Sequence, residues 1–214
     1  ALAEYFVGKT VEEIKAMPTF ERDANHTAVP DVEELKASVT ITVADYVAAL
    51  EEAYNTAIET TGVPAKTGLG TVISASVTEE DKENEKGASV QINTNMMAVA
   101  LDENGVIVAA ILDVAQQKVA FDLEGVAGET DLRTKTEKEF DYNMVTYGGA
   151  VKEWFEQVNA FETWMNGKTV ADVTGMEFAE NSHGYTDTPA DEDLKAACTI
   201  SMTAFLNAIQ KAAD

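Results

Sequence analysis

The chain has 214 residues, 45% of them apolar, enough for one large domain or about one and a half medium ones with a core. Thirty-eight acidic residues against 15 basic ones give a net charge of -23, a surface that repels DNA, RNA and anionic lipid. The lone cysteine, Cys198, excludes an intrachain disulfide, and no apolar run approaches the ~18 residues of a membrane-spanning helix.

In chain order, Gly8 follows a helical pattern and suits the position just past a helix end, where positive φ is needed. Thr10 then caps a short helix, with Glu13 at the capping-box spacing. Pro30-Asp-Val-Glu-Glu-Leu reads as an acidic first helical turn behind a proline. Thr40 reads as the N-cap of a helix whose apolar stripe is Val43, Tyr46, Val47 and Leu50, all expected to be buried.

The middle of the chain changes period. Ile73, Ala75 and Val77 alternate with Ser74 and Ser76, the mark of a half-buried strand over 68–78. Glu79–Gly87 is a charged turn, and a second strand fits Ala88–Leu101. Asp102-Glu-Asn-Gly105 is a hairpin turn, followed by strands over Val106–Val114 and Lys118–Asp122. Beyond Tyr147-Gly-Gly149 a helix runs to about Met165, with Val151, Trp154, Phe155, Val158, Phe161 and Trp164 or Met165 on one face.

From there the chain repeats itself. Residues 3–55 align with residues 162–214 at a constant offset of 159, without a gap, and 16 of the 53 pairs are identical. Gly8-Lys9-Thr10-Val11 matches Gly167-Lys168-Thr169-Val170, and Leu35-Lys36-Ala37 matches Leu194-Lys195-Ala196. The second stripe is Met202, Phe205, Leu206 and Ile209, with Thr199 before it as N-cap. An internal duplication is the reading. The expected fold is α+β, an antiparallel β-meander followed by helices, with a duplicated helical half. Residues 1–60 form the helical half of a first module. Residues 66–214 form a complete second one, with its sheet over 68–122 and its helical half over 148–214.

This order of pieces resembles the FMN-binding domain of extracytoplasmic flavoproteins. Asp102-Glu-Asn-Gly-Val-Ile looks like that family's hairpin, Tyr147-Gly-Gly like its glycine region, and Gly167-Lys168 like its Gly-Lys step. The family attaches flavin at Asp-x-x-Ser/Thr-Gly-Ala-Thr, whose last threonine takes FMN as a phosphoester. Asp193-Leu-Lys-Ala-Ala-Cys-Thr199 lies in that frame with Asp193 and Thr199 matching, and Glu34-Leu-Lys-Ala-Ser-Val-Thr40 keeps only Thr40. The Ser-Gly-Ala of the motif is Ala196-Ala197-Cys198 here, so the resemblance implies FMN bound without a covalent link.

The cofactor residues it implies are Thr199, Asp193 and Thr40, and Lys195 joins them as a candidate because it and Lys36, four residues upstream of each threonine, add positive charge near a phosphate at a helix N-terminus. The functional expectation is an extracytoplasmic bacterial surface protein, of lipoprotein type, that transfers electrons through flavin. The competing expectation is a non-enzymatic interaction protein that kept the fold and lost the cofactor. An anchor ahead of Ala1 and self-association through residues 1–57 go with both. Cys198 aligns with Val39, which favours a buried apolar role, and His26 and His183 do not align and read as surface loop residues. No catalytic triad, phosphate loop or metal-ligand cluster is visible, so no catalytic or metal residue is assigned.

Overall fold

A computed structural model describes all of residues 1–214, with helices and antiparallel sheets mixed along the chain. Two compact units divide it, residues 1–58 and 59–214.

In the first unit, helix α1 (Leu2–Phe6) ends before Gly8, whose φ of 81° is open to glycine at no steric cost. Helix α2 (Val11–Lys15) starts on a complete capping box: the Thr10 hydroxyl accepts from the Glu13 N–H, and the Glu13 carboxylate accepts from the Thr10 N–H. Strands β1 (Thr19–Phe20) and β2 (Val29–Pro30) form a two-residue ladder. Residues 31–39 are a run of turns, not the helix expected behind Pro30, held by the Val39 N–H donating to the Leu35 carbonyl at 2.8 Å. Helix α3 (Ala44–Asn55) follows. The unit's core is small: Met17, Leu35, Val39 and Val43 form its main cluster, with Leu2, Tyr5, Phe6 and Val32 around it, and Ile14 and Val29 are also buried.

The second unit is built on a three-stranded antiparallel sheet: β3 (Lys66–Thr78), β4 (Ser89–Leu101) and β5 (Ile107–Ala120), in that order. The hairpin between β4 and β5 turns where expected. The Asp102 carboxylate accepts from the Asn104 and Val106 N–H groups at 2.8 and 2.9 Å, and Gly105 takes φ 77°. The two strands expected beyond that turn are one continuous strand, because Ala115, Gln116 and Gln117 stay paired with β4.

Short helices α4 (Lys135–Lys138) and α5 (Met144–Gly148) lead to α6 (Trp154–Met165). Trp154, Val158, Phe161 and Met165 of α6 are buried as expected; Val151 precedes the helix and is exposed. Then come α7 (Val170–Thr174), β6 (Phe178–Ala179), β7 (Thr188–Pro189) and α8 (Thr203–Ala213). Each of these starts 159 residues after α2, β1, β2 and α3 respectively, and the capping box recurs at Thr169 and Asp172. Residues 190–198 are again turns rather than a helical first turn.

Helix α8 lies on β3 and β4, where Met202, Phe205, Leu206, Ala208, Ile209 and Ala212 are buried. Gly68 and Gly70 permit this approach. A methyl group on either would fall 1.7 or 1.9 Å from the Ala212 or Ala208 carbonyl oxygen. The helix therefore covers the glycine side of β3, the side shared by Val72 and Ser74. Ile73 and Val77, expected on the buried side, point away from α8 and are about 70% exposed.

The matching stripe on α3 corrects the sequence reading. Val43 is buried, but Val47 and Leu50 are only half-buried and Tyr46 is 55% exposed. The helical period was right; the sheet that buries this stripe's counterpart on α8 belongs to the second unit.

Candidate functional site

A cleft of about 610 Å³ opens in the second unit. Its floor comes from a change of composition along the helix-facing side of the sheet. On β4 that side runs from apolar Leu101, Val99 and Met97 to Asn95, Asn93 and Gln91; on β5 it runs from Leu112 and Val114 to Gln116. These amides bond to one another: Asn93 Oδ1 accepts from Gln116 Nε2 at 2.9 Å and from Gln91 Nε2 at 3.2 Å. Asn95 Nδ2 donates to the Val72 carbonyl at 3.2 Å.

The walls are aromatic. Trp154 opens α6, Phe205 lies on α8 with its ring edge-on to Trp154, and Tyr142 donates its hydroxyl to Gln116 Oε1 at 3.3 Å. His183 and Tyr185 line the cleft from the turn between β6 and β7, and Gly148 from the end of α5. One cation lines the cleft: Lys135, at the start of α4. Its Nζ lies 4.7 Å from the centre of the Tyr142 ring and 5.3 Å from that of Trp154. No carboxylate lies within 4 Å of it. Burial, with help from the nearby Lys138 charge and against the Asp113 charge, pulls the Lys135 ammonium down to about 8.

Thr199 lines the same cleft. It is not the N-cap of α8; Met202 is, and Val43 rather than Thr40 precedes α3. The Thr199 N–H and hydroxyl both donate to Gln157 Oε1, at 2.8 and 3.2 Å. Gln157 is fully buried and donates in turn to the Lys152 carbonyl at 2.9 Å. The first turn of α8 is served by Asp187, which accepts from the Thr203 N–H and hydroxyl and from the Ser201 hydroxyl. Partial burial pushes the Asp187 carboxyl up, but these hydrogen bonds outweigh it and hold it below the ordinary range. An acidic side chain thus occupies the helix end where a phosphate was expected.

The other expected residues are not gathered there. Asp193 is exposed in the turn before Thr199, its N–H donating to Asp191 Oδ1, and Lys195 pairs with Glu192. Thr40 lies in the first unit, where it lines a separate cavity of about 440 Å³ and its carbonyl accepts from Arg22 Nη1 at 2.7 Å. Lys36 lines that cavity too, with its charge set against Asp31 and Glu33. His183 is an exposed loop residue as expected, though it borders the cleft; His26 pairs with Asp23 at 2.7 Å.

Cys198 is fully buried, and burial pushes its thiol up to about 12, which suits the apolar role its partner Val39 suggested. Residues 196–198 all keep negative φ, so the backbone there has no need of the glycine found in the attachment motif. Two pieces of the resemblance do meet: the Ile107 N–H after the Asp102 hairpin donates to the Lys168 carbonyl, and the Gly167 N–H donates to the Ile107 carbonyl.

Lys135, Asn93, Gln116 and Tyr142 were not among the residues chosen from the sequence. The available signal was the switch from apolar residues to amides at core-facing strand positions, an expensive placement unless the amides face a cavity or one another.

No helix is long and apolar enough to cross a membrane. No family model, curated protein or solved structure matches this chain.

Proposed function

We propose that residues 59–214 are a flavin-binding module of the FMN-binding-domain type, in an extracytoplasmic bacterial surface protein that holds flavin without a covalent link and passes electrons through it. The observation that carries this reading is the place of Thr199. It stands at the position of the family's flavin-bearing threonine, and it lines a cleft large enough for a cofactor together with Trp154, Tyr142 and Phe205. The aromatic walls suit a flat ring, and the Asn93 and Gln116 amides offer donors and acceptors to a heteroaromatic edge. Bound flavin supplies the redox chemistry; these residues position it and keep water from one face. The common offset of 159 between the helical halves supports a duplicated segment, of which residues 1–58 hold one copy.

The test is a titration of FMN with the purified protein. The expected result is quenching of flavin fluorescence that saturates at one flavin per chain. Unchanged fluorescence at millimolar protein sinks the reading.

A second reading, an interaction protein that kept the fold and lost the cofactor, is favoured by one observation: the Thr199 hydroxyl is already engaged with Gln157. Self-association through residues 1–57 goes with either reading and rests on the exposed Tyr46 and Tyr54 of α3; sedimentation at rising concentration tests it.

A further inference from the structure

The chain has 38 acidic residues, yet none lines the cleft, while Lys135 does. Seven other lysines and arginines pair with a carboxylate, as Lys15 does with Glu51 and Arg133 with Asp131, while Lys9 and Lys168 lie over the Tyr5 and Trp164 rings outside the cleft. Lys135 is instead set against the Tyr142 and Trp154 rings, with no carboxylate in contact and Asp113 the one acidic charge that reaches it. Holding a partly buried ammonium this way is costly unless something negative joins it. Neutral amides form the floor beside it, and the carboxylates nearest the cleft, Asp113 and Asp187, are held by hydrogen bonds from the Thr136 N–H and from Ser201 and Thr203. The strongly negative exterior makes this gap more telling, because a ligand anion must be drawn in against the field of the whole molecule.

We propose that the cleft selects anionic aromatic ligands, with the phosphate or carboxylate of the ligand paired to Lys135 and its ring against Trp154 and Tyr142. This rests on the flavin reading for the identity of the ring and not for the anion. It places the negative group at α4, away from the N-terminus of α8, where Asp187 already sits. The ligand is therefore turned by Lys135 and not by Thr199.

The experiment compares two pairs of probes that differ only in a phosphate, FMN against riboflavin and adenosine 5′-monophosphate against adenosine. Each is titrated by calorimetry into the wild-type chain, Lys135→Met and Lys135→Arg, after a melting curve shows that each variant is folded. The expected result is at least a tenfold preference for the phosphorylated member of a pair, lost in Lys135→Met and kept in Lys135→Arg. Equal binding within both pairs, a preference that survives in Lys135→Met, or no binding of any of the four probes overturns the proposal. If the flavin pair fails while the adenosine pair shows the preference, the flavin reading falls and the anion site stands.

Discussion

At the scale of single residues, Glu162 sets a measurable trend. Its carboxylate on α6 accepts from the Leu112 N–H at 2.7 Å, on the outer edge of β5. Burial raises its pKa to about 7, against the pull of that hydrogen bond and with a push from the Asp113 charge. The unfolded chain releases this proton near 4.5, so between 4.5 and 7 the folded state binds more protons than the unfolded one. Stability tied to Glu162 is thus complete below 4.5 and is lost as pH rises through 7, by up to about 3 kcal/mol. Glu162→Gln keeps an acceptor for Leu112 and cannot ionise. Urea titrations should find the variant gaining on the wild type from pH 5 to pH 8; a gap that does not change with pH would mean that Glu162 is ionised throughout. Cys198 gives a simpler test: Ellman's reagent at pH 8 should leave the native thiol untouched and label it in urea, since the thiolate is the reacting form and burial suppresses it.

At the scale of elements, the two copies of one stripe should respond differently to the same change. Phe205→Ala on α8 removes a buried ring from the core against the sheet and should cost about 3–5 kcal/mol. Tyr46→Ala, 159 residues earlier, removes a half-solvated ring and should cost under about 1 kcal/mol. Chemical denaturation of both variants checks the pair, and equal losses would show that α3 is as well covered as α8. Gly70→Ala should cost more than the usual overpacking figure of about 1–3 kcal/mol, because its methyl would meet a helix carbonyl that cannot move alone.

The periods, the capping boxes at Thr10 and Thr169 and the turn at Asp102 were readable in the sequence, since these rest on local residue chemistry, whereas Met202 and Val43 stand where Thr199 and Thr40 were expected as caps. Which side of β3 is buried was not readable. Ile73 and Val77 outweigh Gly68 and Gly70 in any hydrophobic pattern, yet the glycines let α8 lie flat on the strand. Thr199 was found through resemblance. Lys135 was missed because its environment is assembled from α4, α6 and the stretch after α4, which no local pattern connects.

At the scale of the whole molecule, the two units should differ in stability. Residues 59–214 bury a continuous core from Met97 and Leu112 through Phe161 to Ile209. Residues 1–58 bury four apolar side chains in their main cluster, and a unit that small leaves much of its surface in water. Charge adds to the difference. On α3, Asp45, Glu51 and Glu52 meet no basic residue in sequence between Lys36 and Lys66, and only Glu51 has a close cation, Lys15. Helix propensity alone holds a 12-residue helix poorly in water, so α3 depends on Val43 and its half-buried neighbours. Amide hydrogen exchange read by mass spectrometry should therefore show residues 44–55 exchanging through local opening, at rates well above those of residues 203–213. Added salt should slow exchange in 44–55 by screening the repulsion among its carboxylates, and should alter 203–213 less, because apolar burial is what holds α8. Equal protection of the two helices would mean that the stripe of α3 is covered in solution. Two copies of the chain meeting through Tyr46 and Tyr54 would give that result only above the concentration at which sedimentation shows association.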